Sequence, residues 1–543
     1  MSTFLLSLLL LLAAPAQQTA KPNSADLCTL QGVVIKAGTG EPLHKAIVEA
    51  WSAGGHSDSS AAAAETDVMG RFELKDLVPG RYDISVQRNG FVRQEYGQRT
   101  PEGAGAILTL SPGQKVSEIT FQLIPAAAIT GHVYDEDGEP VLRARVATMQ
   151  WRYINGQRQL VANRSVLTND LGEFRLFGLS PGQYMVQVSP AIQFDNPKTK
   201  RGFVPIYYPG VSDADRAAPI SVRGGDEFSG VDITLQSVRA VAVRGNVINT
   251  GCAGTPLATM VYLFGQNPKL NSISPSVAHE ANGLHTFEFP TVPPGSYYLY
   301  AMVSGEGKRC IGHQALEVAD TDIDGATLTV TSGVEIKGRL RLEEKSDSNL
   351  GSLEVLLHSR STIMPFGVNT QDSPKPDGSF LLKNAYDGDY EINVENLPEN
   401  SFVKSARLDG VEVLTAGVSL DTKQAPGTLE IVISPNGANV DGAISKDGQP
   451  FPGATVAIVP APPHRGEKRL FKSTTTDQNG HFTLRGLAPG DYKVFAWEKI
   501  EPGAYTSPEF LQPFENLGDS VHITEGSHNS VQVDLIPAKD SNQ

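Results

Sequence analysis

Three kinds of residue in this chain could do chemistry: a histidine–acid pair, aspartates placed before glycines, and aromatic rings on the wrong phase of a strand. His285-Thr-Phe-Glu288 is an H-x-x-E pair, a spacing from which two side chains can ligate zinc. It overlaps a segment carrying Phe287 and Phe289 that reads as a strand, where a spacing of three points the two side chains to opposite faces. One zinc needs its ligands converging at about 2 Å, so the pair predicts no metal. Asp67–Gly70 and Asp477–Gly480 offer the Asp-x-x-Gly stretch found in calcium loops. Such loops need several alternating oxygen ligands, and these supply one or two. Asp before Gly is ordinary turn chemistry. No H-E-x-x-H, no phosphate-cradling glycine loop and no cysteine pair at zinc spacing occurs. The expectation is a chain that is not an enzyme and carries no cofactor.

The aromatic rings carry the remaining chemistry. Tyr298 and Tyr300, and likewise Phe495 and Trp497, occupy a strand phase that is polar in otherwise similar segments. Tyr96, Tyr207 and Tyr208 lie in the stretches that follow those strands, as do Phe91, Tyr505, Phe510 and Phe514. Exposed planar rings stack on sugar rings or anchor a protein partner. The alternative, and the weightier one ring by ring, is packing between domains or beneath a crossover loop. Three cysteines leave one over. Cys252 and Cys310 fall within one repeat, and in an oxidising compartment they are expected to pair, leaving Cys28 free. Closing a loop of that length contributes roughly 3–4 kcal/mol when unstrained.

The elements that position these residues come from a repeat. Gly70-x-Phe72-x-Leu74-x-x-Leu77-x-Pro79-Gly80-x-Tyr82 recurs at identical spacing from Gly172 to Tyr184 and from Gly480 to Tyr492. Two worn copies lie between, from Phe287 to Tyr297 and from Gly378 to Tyr390. Phe72 and Leu74 share one face of a strand, as do Tyr82, Ile84 and Val86. Pro79-Gly80 supplies the turn, Pro presetting φ and Gly accepting a positive φ. Arg81, Asp83, Ser85 and Gln87 fall on the opposite phase, expected to meet water. The tyrosine is placed to hydrogen-bond near the strand end, as at a tyrosine corner.

Each copy opens on an apolar-x-Gly-x-apolar strand centred on Gly32, Gly131, Gly245, Gly338 or Gly442. Four copies continue into a Gly-x-Pro turn, at Gly40-Pro42, Gly138-Pro140, Gly254-Pro256 and Gly448-Pro450. Each closes on an alternating strand such as Ile119-Phe121-Leu123. The opening glycines lie 93 to 114 residues apart, a sandwich-sized period and not that of a solenoid. No stretch sustains a 3.6-residue apolar period. The fold class is therefore all-β: a tandem array of about five Greek-key sandwiches over residues 27–125, 126–237, 238–332, 333–434 and 435–538.

The ends and the charge bound the setting. Phe4 to Leu12 followed by Ala14-Pro15-Ala16 reads as a signal peptide over residues 1–16. Cys28, behind Asp26-Leu27 and well past that point, is not a lipid-attachment cysteine. No later run approaches the ~18 apolar residues of a membrane helix, so no membrane insertion of the mature chain is expected. A net charge of −15 with dispersed Lys and Arg excludes nucleic acid as a partner. Secretion or a periplasmic location is expected.

The opening glycine strand, the Gly-x-Pro turn, Asp-x-x-Gly-x-Phe-x-Leu and Leu-x-Pro-Gly-x-Tyr together resemble the carboxypeptidase regulatory-like domain. The resemblance is close in copies one, two and five and degenerate in three and four, where His285 replaces the turn glycine and Ala385 and Asp387 replace Leu and Pro. It implies a seven-stranded Greek-key sandwich, similar to transthyretin and starch-binding modules, and a non-catalytic role. The expected partners are a polysaccharide, bound through the off-phase rings, or a cell-envelope protein in a scaffolding role. A part in a peptidase system is the third reading.

Overall fold

The computed structural model describes residues 26–538 except 54–59, 155, 190–200, 253–257, 267–272, 278, 282–283, 306–307, 344–349 and 361–369. The expected signal segment and the Gly254-Pro256 turn lie outside the described residues. Strands dominate, and among the described residues the longest α-helix is Pro508–Leu511. Among the described residues no helix is long and apolar enough to cross a membrane.

Five separate clusters of buried side chains lie along the chain, within residues 28–123, 127–235, 241–330, 336–433 and 438–533. We number the units that hold them from one to five. In the first, strand Cys28–Lys36 runs between Arg71–Leu77, antiparallel, and Lys115–Leu123, parallel. A second sheet carries Ile47–Ser52 beside Gly80–Gln87, with Ala62–Glu65, Gln94–Glu95 and Leu108–Leu110 at its edges. Alternate residues of both sheets meet in the core. The third unit differs. Its strands form one continuous eight-stranded sheet, because Lys308–Val318 pairs with both Gly295–Gly305 and Ile323–Ser332.

The repeat glycines have a packing cause. In every unit the opening glycine lies directly across from the motif phenylalanine: Gly32 from Phe72, Gly131 from Phe174, Gly245 from Phe287, Gly338 from Phe380 and Gly442 from Phe482. A Cβ on Gly442 would stand 2.6 Å from the Val531 carbonyl and 2.8 Å from the Phe482 ring. The missing side chain lets the parallel closing strand and the ring approach together.

The Asp-x-x-Gly stretches are turns, as their chemistry suggests. Asp477 Oδ1 accepts from the backbone N–H groups of Asn479 and His481, both at 2.9 Å, and Asp67 and Asn169 do the same in units one and two. Gly480 follows at φ +76°. The residue before each of these turns is a buried threonine that the repeat did not bring to notice. Thr476 Oγ1 donates to the Phe451 carbonyl and accepts from the Ala454 N–H, and Thr66 and Thr168 make the matching pairs.

Two local expectations are corrected. Gly80 does not take the positive φ assigned to it; that conformation falls earlier, at Asp76, Gly178, Asn384 and Gly486 in the corresponding copies. Register shifts beside these positions mark a bulge near the strand end, and the glycine in the place of Gly80 keeps a positive φ in units three to five, at Gly295, Gly388 and Gly490. The face of Arg81 and Ser85 does not simply meet water either. Ser85 is buried, and Arg81 is half-buried, because strand Gln94–Glu95 and the fifth unit cover that side.

Candidate functional site

Three of the four off-phase rings, Tyr300, Phe495 and Trp497, are buried, and Tyr298 is half-buried. Tyr300 is buried in a cluster with Tyr262, Phe264 and Ile311 of the third unit and Tyr386 of the fourth, with Tyr298 packed against it. The Tyr386 hydroxyl donates to the Arg309 carbonyl at 2.7 Å, fastening one unit to the next. Burial pushes the Tyr300 hydroxyl up to about 12 and raises that of Tyr386 as well. Phe495 and Trp497 stack on each other at 5.3 Å, beneath the crossover that carries Phe510 and Phe514. Phe510 in turn meets Tyr153 of the second unit edge-on at 5.8 Å.

Tyr207 is buried beside Met149 and Met185, its hydroxyl accepting from Gln187 at 2.8 Å. Tyr208 packs on the second core and Tyr96 on the first, both half-buried. The sugar-stacking role considered for Tyr300, Phe495, Trp497 and Tyr207 is therefore corrected. A ring 0–3% exposed has no face left for a ligand. These rings cover seams and crossovers instead.

Cys252 and Cys310 are bonded, with Cα atoms 5.9 Å apart, tying the end of the opening strand of unit three to Lys308–Val318. Cys28 is free and buried. His285 and Glu288 sit on one strand, Leu284–Val292, and Glu288 pairs with Arg244 at 2.8 Å. Two further stretches have the letters of chemical motifs. His464-Arg-Gly-Glu467 is another H-x-x-E, and its two side chains meet at 2.5 Å on a 3-10 turn. Gly178-Leu-Ser180-Pro-Gly182 has the letters of a nucleophile elbow, but it joins strand to strand, and the Ser180 carbonyl is engaged by the Tyr184 hydroxyl. Among the described residues, no three of His, Cys, Asp and Glu are grouped to hold a metal.

What the sequence left unmarked is the meeting of the first unit with the fifth. Thr109 N donates to Gln478 Oε1 at 3.0 Å, and Gln478 Nε2 donates back to the Thr109 carbonyl at 2.8 Å. Thr109 Oγ1 donates to Asp477 Oδ2 at 3.2 Å, and Ile107 forms a parallel bridge with Asp477. The Arg99 guanidinium lies 3.9 Å from the centre of the Phe451 ring, within cation–π range, and its Nε donates to the Pro452 carbonyl. Consecutive units are also joined. Glu102 receives both arms of Arg152 at 2.8 Å, linking units one and two, and Arg485 pairs with Glu399 at 2.7 Å, linking five and four. The array therefore closes on itself, first unit against last.

The model of the carboxypeptidase regulatory-like domain matches residues 29–123 and 439–535, stretches that lie in the two units that meet at this closure. Among curated proteins, Colossin-A of Dictyostelium discoideum is 23% identical over 367 residues, which is 61% of this chain and 3% of Colossin-A. The chain thus spans a small fraction of that relative. Among solved structures, the Bacillus anthracis TIE protein overlaps 56% of this chain and 51% of its own, at 14% identity and a TM-score of 0.16. GBS52, the minor pilin of Streptococcus agalactiae, overlaps 39% of this chain and 96% of its own, at 14% identity and a TM-score of 0.23.

Proposed function

We propose that this is a non-catalytic, secreted or periplasmic scaffold of the cell envelope, a closed body of β-sandwich units that works by binding. One observation carries the reading: the rings set off-phase in the strands serve the joints, Tyr300 meeting Tyr386 and Trp497 lying under Phe510, which meets Tyr153. A protein whose spare aromatic area goes into fixing its own units relative to one another holds a defined surface, as scaffolding requires. The regulatory-like domain matched in the first and last units agrees with a role in binding and not in bond breaking.

The test is retention of a partner from the envelope fraction by the mature chain, compared with Tyr386→Ala and Tyr153→Ala. The reading expects a stoichiometric protein partner that both variants lose or weaken. A mature chain that retains no protein, or hydrolyses peptides in a manner abolished by chelation, contradicts it. A second reading, saccharide binding, no longer rests on the off-phase rings. It is favoured by a cleft at the closure whose lining includes charged and hydroxyl side chains.

A further inference from the structure

We propose that the cleft enclosed where the first unit meets the fifth binds a neutral oligosaccharide. This deepens the saccharide reading above and does not depend on the scaffold reading. The cleft measures about 550 Å³, within the range of small-molecule sites and enough for roughly two sugar rings. One wall is strand Gly80–Gln87 with the 104–107 segment of unit one, and the other is strand Lys472–Thr475 with the 500–505 segment of unit five.

Charge selects the class of ligand. Three cations line the cleft, Arg81, Lys472 and Arg485, against four acids, Asp83, Glu95, Glu399 and Glu501. The sum is −1, so neither an anion nor a cation finds a surplus of opposite charge. Several of these groups are already engaged. Arg485 pairs with Glu399 at 2.7 Å, Lys472 Nζ donates to the Arg485 carbonyl at 2.8 Å, and Glu95 Oε2 accepts from the Gly105 N–H at 3.0 Å. Arg81 and Asp83 are different. They sit two apart on one strand face, Arg81 half-buried and Asp83 exposed, each within the other's field, and among the described residues neither side chain makes a hydrogen bond.

Enclosure lowers the Arg81 guanidinium from its usual range, with the Arg485 charge adding to it, and it raises the Asp83 carboxyl, with Glu95 adding to that. A half-buried guanidinium without a hydrogen-bond acceptor is costly, and a ligand that brings both donors and acceptors relieves that cost. Vicinal hydroxyls do both: two donate to a carboxylate, and their oxygens accept from a guanidinium fork. Hydroxyls of Thr455, Ser473, Thr475 and Thr483 extend the same chemistry along the opposite wall. Tyr505, whose hydroxyl lies 2.9 Å from Ser473 Oγ, stands with Ile500 and Pro502 as an apolar wall for a sugar face.

Both walls exist together only while the first and fifth units stay closed on each other, so an occupant spanning them stabilises the closure by linkage.

Isothermal titration of the mature chain with cellobiose, maltose and diacetylchitobiose, with digalacturonate as the acidic comparison, tests this. At least one neutral disaccharide should bind with an affinity that raising the salt leaves unchanged. Arg81→Met and Asp83→Asn should each weaken it about tenfold or more, the scale of losing hydrogen bonds to a charged group. Tyr505→Ala, on the other wall, should weaken it independently, and circular dichroism checks that each variant is folded. Binding undiminished in all three folded variants overturns the site while leaving the saccharide reading standing. Absence of any disaccharide binding, or binding of digalacturonate alone with strong salt dependence, overturns both.

Discussion

Thr109 and Gln478 stand 369 positions apart in the chain, yet each donates a hydrogen bond to the other. With Arg99 over Phe451 and Tyr153 against Phe510, this exchange turns a row of sandwiches into a closed body. The entropic cost of such a long closure grows only with the logarithm of the intervening length. The intervening units also narrow the ensemble of end-to-end distances, so a few modest bonds can hold the ends.

Those bonds can be removed without touching a core. Gln478→Ala together with Arg99→Ala deletes the paired hydrogen bonds and the cation–π contact, each worth about 0.5–1.5 kcal/mol. The expected outcome is a chain whose units remain folded but whose first and fifth units exchange amide hydrogens faster along 106–110 and 476–479. Unchanged exchange there means that the pair contributes nothing to closure.

Phe482 is buried against Gly442 in the fifth core. Phe482→Ala should cost roughly 3–5 kcal/mol through lost transfer energy and the cavity left behind. Each unit has its own core, so reading the repeat alone predicts loosening of the fifth unit only. The seams change that expectation: calorimetry should show the first unit destabilised as well, because its partner surface is lost. A melt in which the first unit is untouched contradicts coupling across the closure.

The motif tyrosine does the same thing in all five units. Its hydroxyl donates to the carbonyl four residues earlier: Tyr82 to Val78, Tyr184 to Ser180, Tyr297 to Pro293, Tyr390 to Tyr386 and Tyr492 to Ala488. Tyr492→Phe keeps the ring and strands the Ala488 carbonyl, so it should cost about 1–2 kcal/mol in chemical denaturation. A neutral substitution would mean that water replaces the hydroxyl.

Buried tyrosines, two of the motif set and one of the seam, set an alkaline limit. Burial pushes the hydroxyls of Tyr184, Tyr300 and Tyr492 up to about 12. In the unfolded chain they ionise near pH 10, so above that pH the unfolded state holds fewer protons than the native one. Their contribution is complete below about pH 10 and is lost as pH rises from there towards 12. Tyrosinate absorbance should therefore rise in two steps, the second coinciding with loss of the β-sheet signal. A single step near pH 10 with the sheets intact contradicts these burials.

The fold was legible because it is local. Period-two alternation, the glycine across from the phenylalanine and the Asp-x-x-Gly turn all act within one unit, and each leaves a mark in every good copy. The positive φ expected at Gly80 occurs at its counterparts Gly295, Gly388 and Gly490, whereas that of Asp76 went unread because a bulge follows from strand pairing, which the letters around it do not encode. The off-phase rings did signal something, since a polar phase turned aromatic must be covered. What covers Tyr300 is Tyr386 of another unit, and nothing near Tyr300 in the chain says so. Thr109 and Gln478 are ordinary strand-edge and turn residues, and Arg81 looks solvated until the fifth unit arrives opposite it. Contacts between distant units leave no periodicity.

Small-angle X-ray scattering from the mature chain tests the closure most directly. First and last units in contact predict a compact body, with a pair-distance distribution that falls steeply after one maximum. A distribution with a long tail, reaching the end-to-end span of five sandwiches in a row, would show the units strung out and the Thr109–Gln478 seam open.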